Sequence, residues 1–389
     1  MLRNGLRICR SNLVHVRDRQ IPKILHSPSA SQPRQRSIAF AHSLEFTIPN
    51  NKSNAVRDIV LPDTSLRGDE QTSGNYTKAL HLLKCNPPEC RIDVRLPYSQ
   101  YLRLERSWSK FKRENKIRED KKYPRLSYNS LEQIATVVTV QRALHEVAAI
   151  WLGSNIKHRV DEYLSSHKFD DEERILEGGS TTRKSIDGKY ANSLNDPDGS
   201  FYYKRRDGGY QLQIAVEVGF IENYKALLRD KDTWIQSQRA KVVVLVFLKE
   251  SPQFKNPKAA YKDVEDVDME RTKLGQLADE VKQRNKGKGP YGPIEYRCHN
   301  WFEKLNEAFI EVWRADGSSP NKLCLIENGR PCDPLPTVIG LKVSDFFSED
   351  AWAAAQIPDS YVPFDWDRYR RSLLTAMGLP AEERFIEFL

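Results

Sequence analysis

Residues 241–249 read KVVVLVFLK, seven apolar residues in a row between two lysines. A strand with no polar face has to be covered on both sides, which excludes an open two-layer sheet and demands helices or a second sheet above and below it. The residues before it show how this is met. GSFYYKRRDGGYQLQIAVEVG (199–219) contains two β-rich runs flanking Asp207-Gly208, a favoured pair for a two-residue hairpin turn. ENYKALLRDKDTWIQSQ (222–238) has helical apolar spacing and leads into 241–249. Strand, strand, helix, strand is an α/β core whose last two strands lie parallel, joined by a crossover helix.

The chain around this core divides by composition. Residues 1–44 carry eight basic side chains and one acid, and so hold seven of the eight net positive charges; the remainder is close to neutral. This segment has the Arg- and Ser-rich, acid-poor character of a mitochondrial presequence, and equally of a basic disordered tail. The protein is expected to be intracellular: mitochondrial on the first reading, cytoplasmic or nuclear on the second. Residues 45–125 give mixed signals (LEFTIPNN, DIVLPD, a short helix in YTKALHLLKC) and are expected to be an irregular N-terminal region. An α/β core is assigned to 126–250, a charged insertion with a helix near 266–284 to 251–296, and a C-terminal extension of strands with a closing helix (364–377) to 297–389. Within the core, a long helix is expected over 129–166, opened by Ser130 and Gln133 as a capping pair.

No apolar run approaches the roughly 18–20 residues of a membrane-spanning helix, so no membrane partner is expected. The six cysteines are scattered. Cys85 and Cys90 frame CNPPEC without a second pair at metal-ligand spacing, and all six are expected to be reduced structural thiols. In 101–125 ten Lys/Arg stand against four acids, interleaved with Tyr101, Trp108, Phe111 and Tyr123. Such a run either contacts nucleic acid, with Lys110, Lys112 and Arg113 as candidates, or forms a solvated helix face.

Glu217 is the anomaly. It interrupts IAVEVGF, and a buried carboxylate needs a cation or a proton. If Asp207 and Gly208 are the turn, the residue opposite Glu217 is Asp198 of NDPDGSF. Two opposed carboxylates repel unless a divalent cation lies between them, and Mg²⁺ takes oxygen ligands of this kind. A bulge at Gly209 would shift the register and separate them. In helix 222–238 the apolar stripe Tyr224, Leu227, Leu228, Trp234, Ile235 is broken by Lys231, either snorkelling past the core edge or aimed at the strand ends.

PDGSF, the hairpin, IAVEVGF, LLRDK with its following Trp, and VVVLVFL together resemble the PD-(D/E)XK superfamily of restriction-endonuclease-like nucleases. The resemblance is to a putative restriction endonuclease branch seen in fungal proteins, with an upstream His-Glu on a helix (His145-Glu146), a strand bearing Trp313 and a downstream Asp345-Phe346. It implies a restriction-endonuclease-like mixed sheet flanked by helices. It also implies metal-dependent phosphodiester hydrolysis of DNA or RNA, with Asp198 and Glu217 holding Mg²⁺ or Mn²⁺. The lysine of the motif is replaced by Gly219, and Lys231 is the candidate to stand in for it. Glu146 is the candidate acid from the first helix, although a helical wheel sets it opposite the stripe Leu144, Val147, Ala148, Trp151. His145 reads as a surface or capping residue. The alternative is a catalytically inactive nuclease fold used for binding or scaffolding, which the glycine at 219 favours.

Overall fold

The computed structural model describes residues 69–85, 91–117, 124–139, 143–168, 175–179, 182–185, 188–205, 207–220, 224–255, 290–296 and 299–388, with side chains omitted for 69–73 and 386–388. The basic segment 1–44, LEFTIPNN, DIVLPD, Cys90 and the expected insertion helix 266–284 lie outside the described residues.

The described residues open with a small α/β layer where an irregular region was expected. Helix α1 (Asp69–Cys85), strand β1 (Arg91–Arg95), helix α2 (Tyr98–Glu114), β2 (Arg125–Asn129) and β3 (Ile134–Val138) precede α3 (Ala143–Ser166). The long helix therefore starts at 143. Its expected first turns are β2, β3 and the bend between them, where Gln133 has a positive φ and Ser130 bonds Ser193 rather than capping a helix.

Next come β4 (Ile175–Gly178), β5 (Arg183–Lys184), β6 (Leu194–Asn195), β7 (Gly199–Lys204), β8 (Tyr210–Gly219), α4 (Tyr224–Gln236) and β9 (Val242–Ser251). After 289 the chain forms β10 (Ile294–Tyr296), β11 (His299–Phe302), β12 (Lys304–Arg314), β13 (Asn321–Glu327), β14 (Arg330–Pro331) and β15 (Val338–Lys342). It closes with α5 (Glu349–Ala355), β16 (Tyr361–Pro363), α6 (Trp366–Ala376) and α7 (Gly378–Phe388). No described helix is long and apolar enough to cross a membrane.

The main sheet runs β14-β13-β12-β9-β8-β7-β4 and is mixed: β8 and β9 are parallel, and every other neighbouring pair is antiparallel. Strand β9 is buried on both faces, as its composition requires. Val242, Val244, Val246 and Leu248 join α3 in the larger core, while Val243, Leu245 and Phe247 pack toward Leu227 and Trp234 of α4. Each such side chain contributes about 1.5–3 kcal/mol relative to exposure. On the α3 face, α6 packs alongside, with the Tyr369 hydroxyl donating to Ala148 O at 3.2 Å.

A second sheet, ordered β1-β3-β2-β6-β5, belongs to the N-terminal layer and borrows its last two strands from the segment between β4 and β7. It has its own core of Leu83, Val94, Tyr101, Leu104, Trp108, Tyr128 and Val137. Alternation explains how a sheet this small is arranged. Ile92, Val94, Leu126, Tyr128, Ala135 and Val137 supply the apolar face under α1 and α2. Arg91, Asp93, Arg125, Ser127, Asn129 and Thr136 fall on the opposite face.

One smaller expectation is corrected, and one quoted motif is given its structural place. Cys324 and Cys332 are not separate thiols but form a disulfide, with Cα atoms 6.0 Å apart; the β13–β14 hairpin brings them face to face, and Cys332 N–H donates to Leu325 O at 3.0 Å. The Asp345-Phe346 pair is a structural clasp: Asp345 accepts from Lys342 N–H at 2.8 Å and Arg314 at 2.9 Å, and Phe346 meets the Phe201 ring edge-on.

Candidate functional site: a buried acid pair under the N-terminal sheet

The β7–β8 hairpin does not turn on two residues. Arg205 N–H donates to Gly209 O at 2.8 Å, which leaves three residues in the loop and moves the register by one. A bulge opposite Phe201 and Tyr202 then inserts Gln213 and moves it back, so that Phe201 pairs with Ile214 and Gly199 with Val216. One further step along that register reaches Asp198 and Glu217.

Asp198 lies at the end of the sheet with 2% of its side chain exposed. Its backbone N–H donates to Val216 O at 3.0 Å and its carboxylate accepts Val218 N–H at 2.9 Å, fixing it beside Glu217. Two side chains complete its shell: the Arg125 guanidinium of β2, with Nη1 at 3.3 Å, and the His145 imidazole at the start of α3, with Nε2 at 3.1 Å. Burial alone would raise the Asp198 pKa. His145, Arg125 and the Val218 amide together hold it well below the ordinary carboxylate range.

Glu217 lies on the face covered by α4, where the Trp234 indole N–H donates to Oε1. It is 4% exposed. Burial raises its pKa well above the usual value, the negative charges of Asp198 and Asp230 push the same way, and Arg125 and the indole oppose them without prevailing. The two carboxyls are thus driven in opposite directions, Asp198 toward the ionised form and Glu217 toward the protonated one.

The polar face of the N-terminal sheet closes over this pair. Arg91 of β1 bonds Asp230 of α4 at 3.2 Å, and Asp93 accepts from Thr136 at 2.8 Å and pairs with Arg229 of α4. Arg229 also reaches Glu132 at 3.6 Å, and Asn129 donates to Thr233 at 3.4 Å.

The other sequence candidates go elsewhere. Lys231 bonds Asp232 at 2.6 Å and lies 4.2 Å from the Trp313 ring centroid, making no ion pair with Glu217. Gly219 faces the apolar layer, where a Cβ would meet Leu227 and Phe247 at 3.4–3.7 Å. Glu146 is half-buried on α3; its neighbour His145, expected at the surface, is 5% exposed and is the residue that meets Asp198. Among the basic candidates, Lys110 and Arg113 are exposed, and Lys112 lies over the Trp108 ring at 5.7 Å. Sequence reasoning missed Arg125, Arg91 and Asp230. Arg125 ends the run KKYPR and reads as solvated charge, and Asp230 was overshadowed by the lysine beside it.

Two carboxylates on adjoining strands are the donor type a divalent cation takes. In this arrangement they do not fit one. Both Asp198 oxygens are taken by Arg125, His145 and Val218 N–H, and Glu217 Oε1 accepts the Trp234 indole N–H. What the arrangement does is join two layers through a buried charge network. No family model, no curated protein and no solved structure matches this chain.

Proposed function

We propose that this is a nuclease-fold protein of PD-(D/E)XK type that, in the conformation described, binds nucleic acid without cleaving it. One observation carries the reading: the acid pair is sealed and neutralised beneath a sheet whose outer helix is strongly basic. On α2 the side chains of Arg103, Arg106, Lys110 and Arg113 are exposed at spacings of three and four residues. They form one stripe about 15 Å long at 1.5 Å rise per residue. Lys78 and Lys84 of α1 are exposed as well. A stripe of this length matches a few consecutive phosphates, and Arg103 over the Tyr76 ring at 5.0 Å keeps the helices in register.

Fluorescence anisotropy with labelled single-stranded and duplex oligonucleotides tests it. Four phosphate contacts on a single strand imply a salt slope near −2.8 and about a fifty-fold loss of affinity between 50 and 200 mM salt. Arg103→Glu with Arg106→Glu and Arg113→Glu should abolish binding, and the oligonucleotide should stay intact in Mg²⁺ or Mn²⁺. Binding indifferent to salt and to these substitutions overturns the reading.

The second reading is metal-dependent phosphodiester hydrolysis. It is supported by the chain order: helix α3, the antiparallel run β4-β7-β8, helix α4, then β9 parallel to β8, with Asp198 and Glu217 where β7 begins and β8 ends. That is the arrangement the resemblance implies. Divalent-dependent strand shortening that disappears in Asp198→Asn would establish it.

A further inference from the structure

We infer that the N-terminal sheet is an autoinhibitory cap: Arg125 and Arg91 stand on Asp198 and Asp230 as built-in counter-ions, and its displacement uncovers Asp198 and Glu217. The inference rests on the nuclease-fold reading and explains why a pair of acids so placed does not fit a cation.

Three features make the cap separable. First, its core is its own: Tyr101, Leu104, Trp108, Tyr128 and Val137 cluster apart from the two cores of the main sheet. Second, strict alternation turns the apolar residues of β1 and β2 toward α1 and α2 and leaves Arg91, Asp93, Arg125 and Asn129 to meet the body. Opening this face therefore breaks ion pairs and hydrogen bonds, and of the buried apolar side chains in β1 to β3 it uncovers Val138 alone. Third, four ion pairs run between the layers, Arg125 to Asp198, Arg91 to Asp230, and Arg229 to Asp93 and Glu132, beside one within β1 between Arg91 and Asp93. When both partners of a charged pair return to water together, their solvation offsets much of the lost attraction, whereas newly exposed apolar surface has no such compensation. Strands β5 and β6 tie the cap to the body, since Leu194 pairs with Tyr128; the cap can swing on this tether without detaching.

Carbodiimide labelling of carboxyl groups, read by mass spectrometry, reports the opening directly. In the unmodified chain Asp198 and Glu217 should label as slowly as Glu311, which is 3% exposed within the main sheet. In Arg91→Gln/Arg125→Gln their labelling should rise by about tenfold or more, as for a closed state weakened by about 1.4 kcal/mol. Glu311 should not change. Arg229→Gln is the second variant, because it cuts two cap contacts without touching either acid, and it should give a smaller rise of the same sign. Unchanged labelling of Asp198 and Glu217 in both variants overturns the cap, as does equal labelling of Glu311, which would mean general loosening. Mn²⁺ protection of the opened acids, followed by strand cleavage, would support the hydrolytic reading. Opened acids with neither response leave the cap standing and remove that reading alone.

Discussion

Asp198 and Glu217 are equally buried and their amide variants are equally conservative, yet the structure assigns them opposite responses. Asp198→Asn removes the charge that the Arg125 guanidinium and the His145 imidazole face at 3.3 and 3.1 Å, and puts an NH2 donor where one carboxylate oxygen accepted. Breaking a buried pair from one side costs about 3–5 kcal/mol, and since Asn can still accept the Val218 N–H the lower end, about 3 kcal/mol, is expected. Glu217→Gln replaces one neutral group by another of the same shape, and the amide oxygen can keep the Trp234 hydrogen bond; less than about 1 kcal/mol is expected. Urea unfolding at neutral pH, with unchanged m-values, measures both. The pH dependence separates them further. Folded Glu217 keeps its proton above the ordinary carboxylate range, so its contribution is present below that range and is lost as pH rises through its folded pKa; Glu217→Gln removes this loss. Folded Asp198 has a depressed pKa, so its contribution is present above the ordinary range and lost on acidification. Equal costs for the two substitutions, or the reverse order, would refute the assignment of charge to Asp198 and of the proton to Glu217.

Other consequences can be measured alongside. Asp93 is held below its usual pKa: burial opposes, and Arg91, Arg229 and Thr136 prevail. Its contribution should therefore vanish as pH falls below about 4, with Asp93→Asn flattening the acid limb of the stability curve. Asp345→Ala should cost about 2–3 kcal/mol, because it strands Arg314 and the Lys342 N–H, and should leave nucleic-acid affinity unchanged. Lys231→Met should cost no more than about 1 kcal/mol, the scale of a cation–π contact, and should not alter labelling of Asp198; a large rise in that labelling would place Lys231 in the latch after all.

What could be read from the sequence was the part set by local period. KVVVLVFLK had to be a two-faced strand, and the helix before it had to cross over, but whether Glu217 of β8 turned inward or out to water stayed open. The pairing of Glu217 with Asp198 was reached through two departures that cancel. The loop is one residue longer than Asp207-Gly208 suggests, and Gln213 bulges to compensate. A turn dipeptide signals itself locally, but a bulge at Gln213 depends on what β8 meets in β7 and has no such signature. The N-terminal sheet went unrecognised for a related reason. Its strands β1 to β3 are five residues each, and RIDVR or RLSYN gives too few periods to stand out from charged coil.

The deeper limit concerns charge. A sequence can show that Glu217 is an acid in an apolar strand, but whether it ionises depends on partners that no spacing rule connects. Arg125 is 73 residues before Asp198 in the chain, and Arg91 is 139 before Asp230. Given only two acids, a divalent cation is the economical way to cancel their repulsion. The fold cancels it differently, with one guanidinium and one imidazole on the ionised member and a proton on the other. On the proposed nuclease-fold reading, the same acids are either the remnant of a metal site or its closed form. The physical difference between these is whether the polar face of β1 and β2 can leave them. If it cannot, Arg125→Gln should destabilise the whole chain in one transition. If it can, the cap and the main sheet should melt separately, the cap first, because each already has its own core.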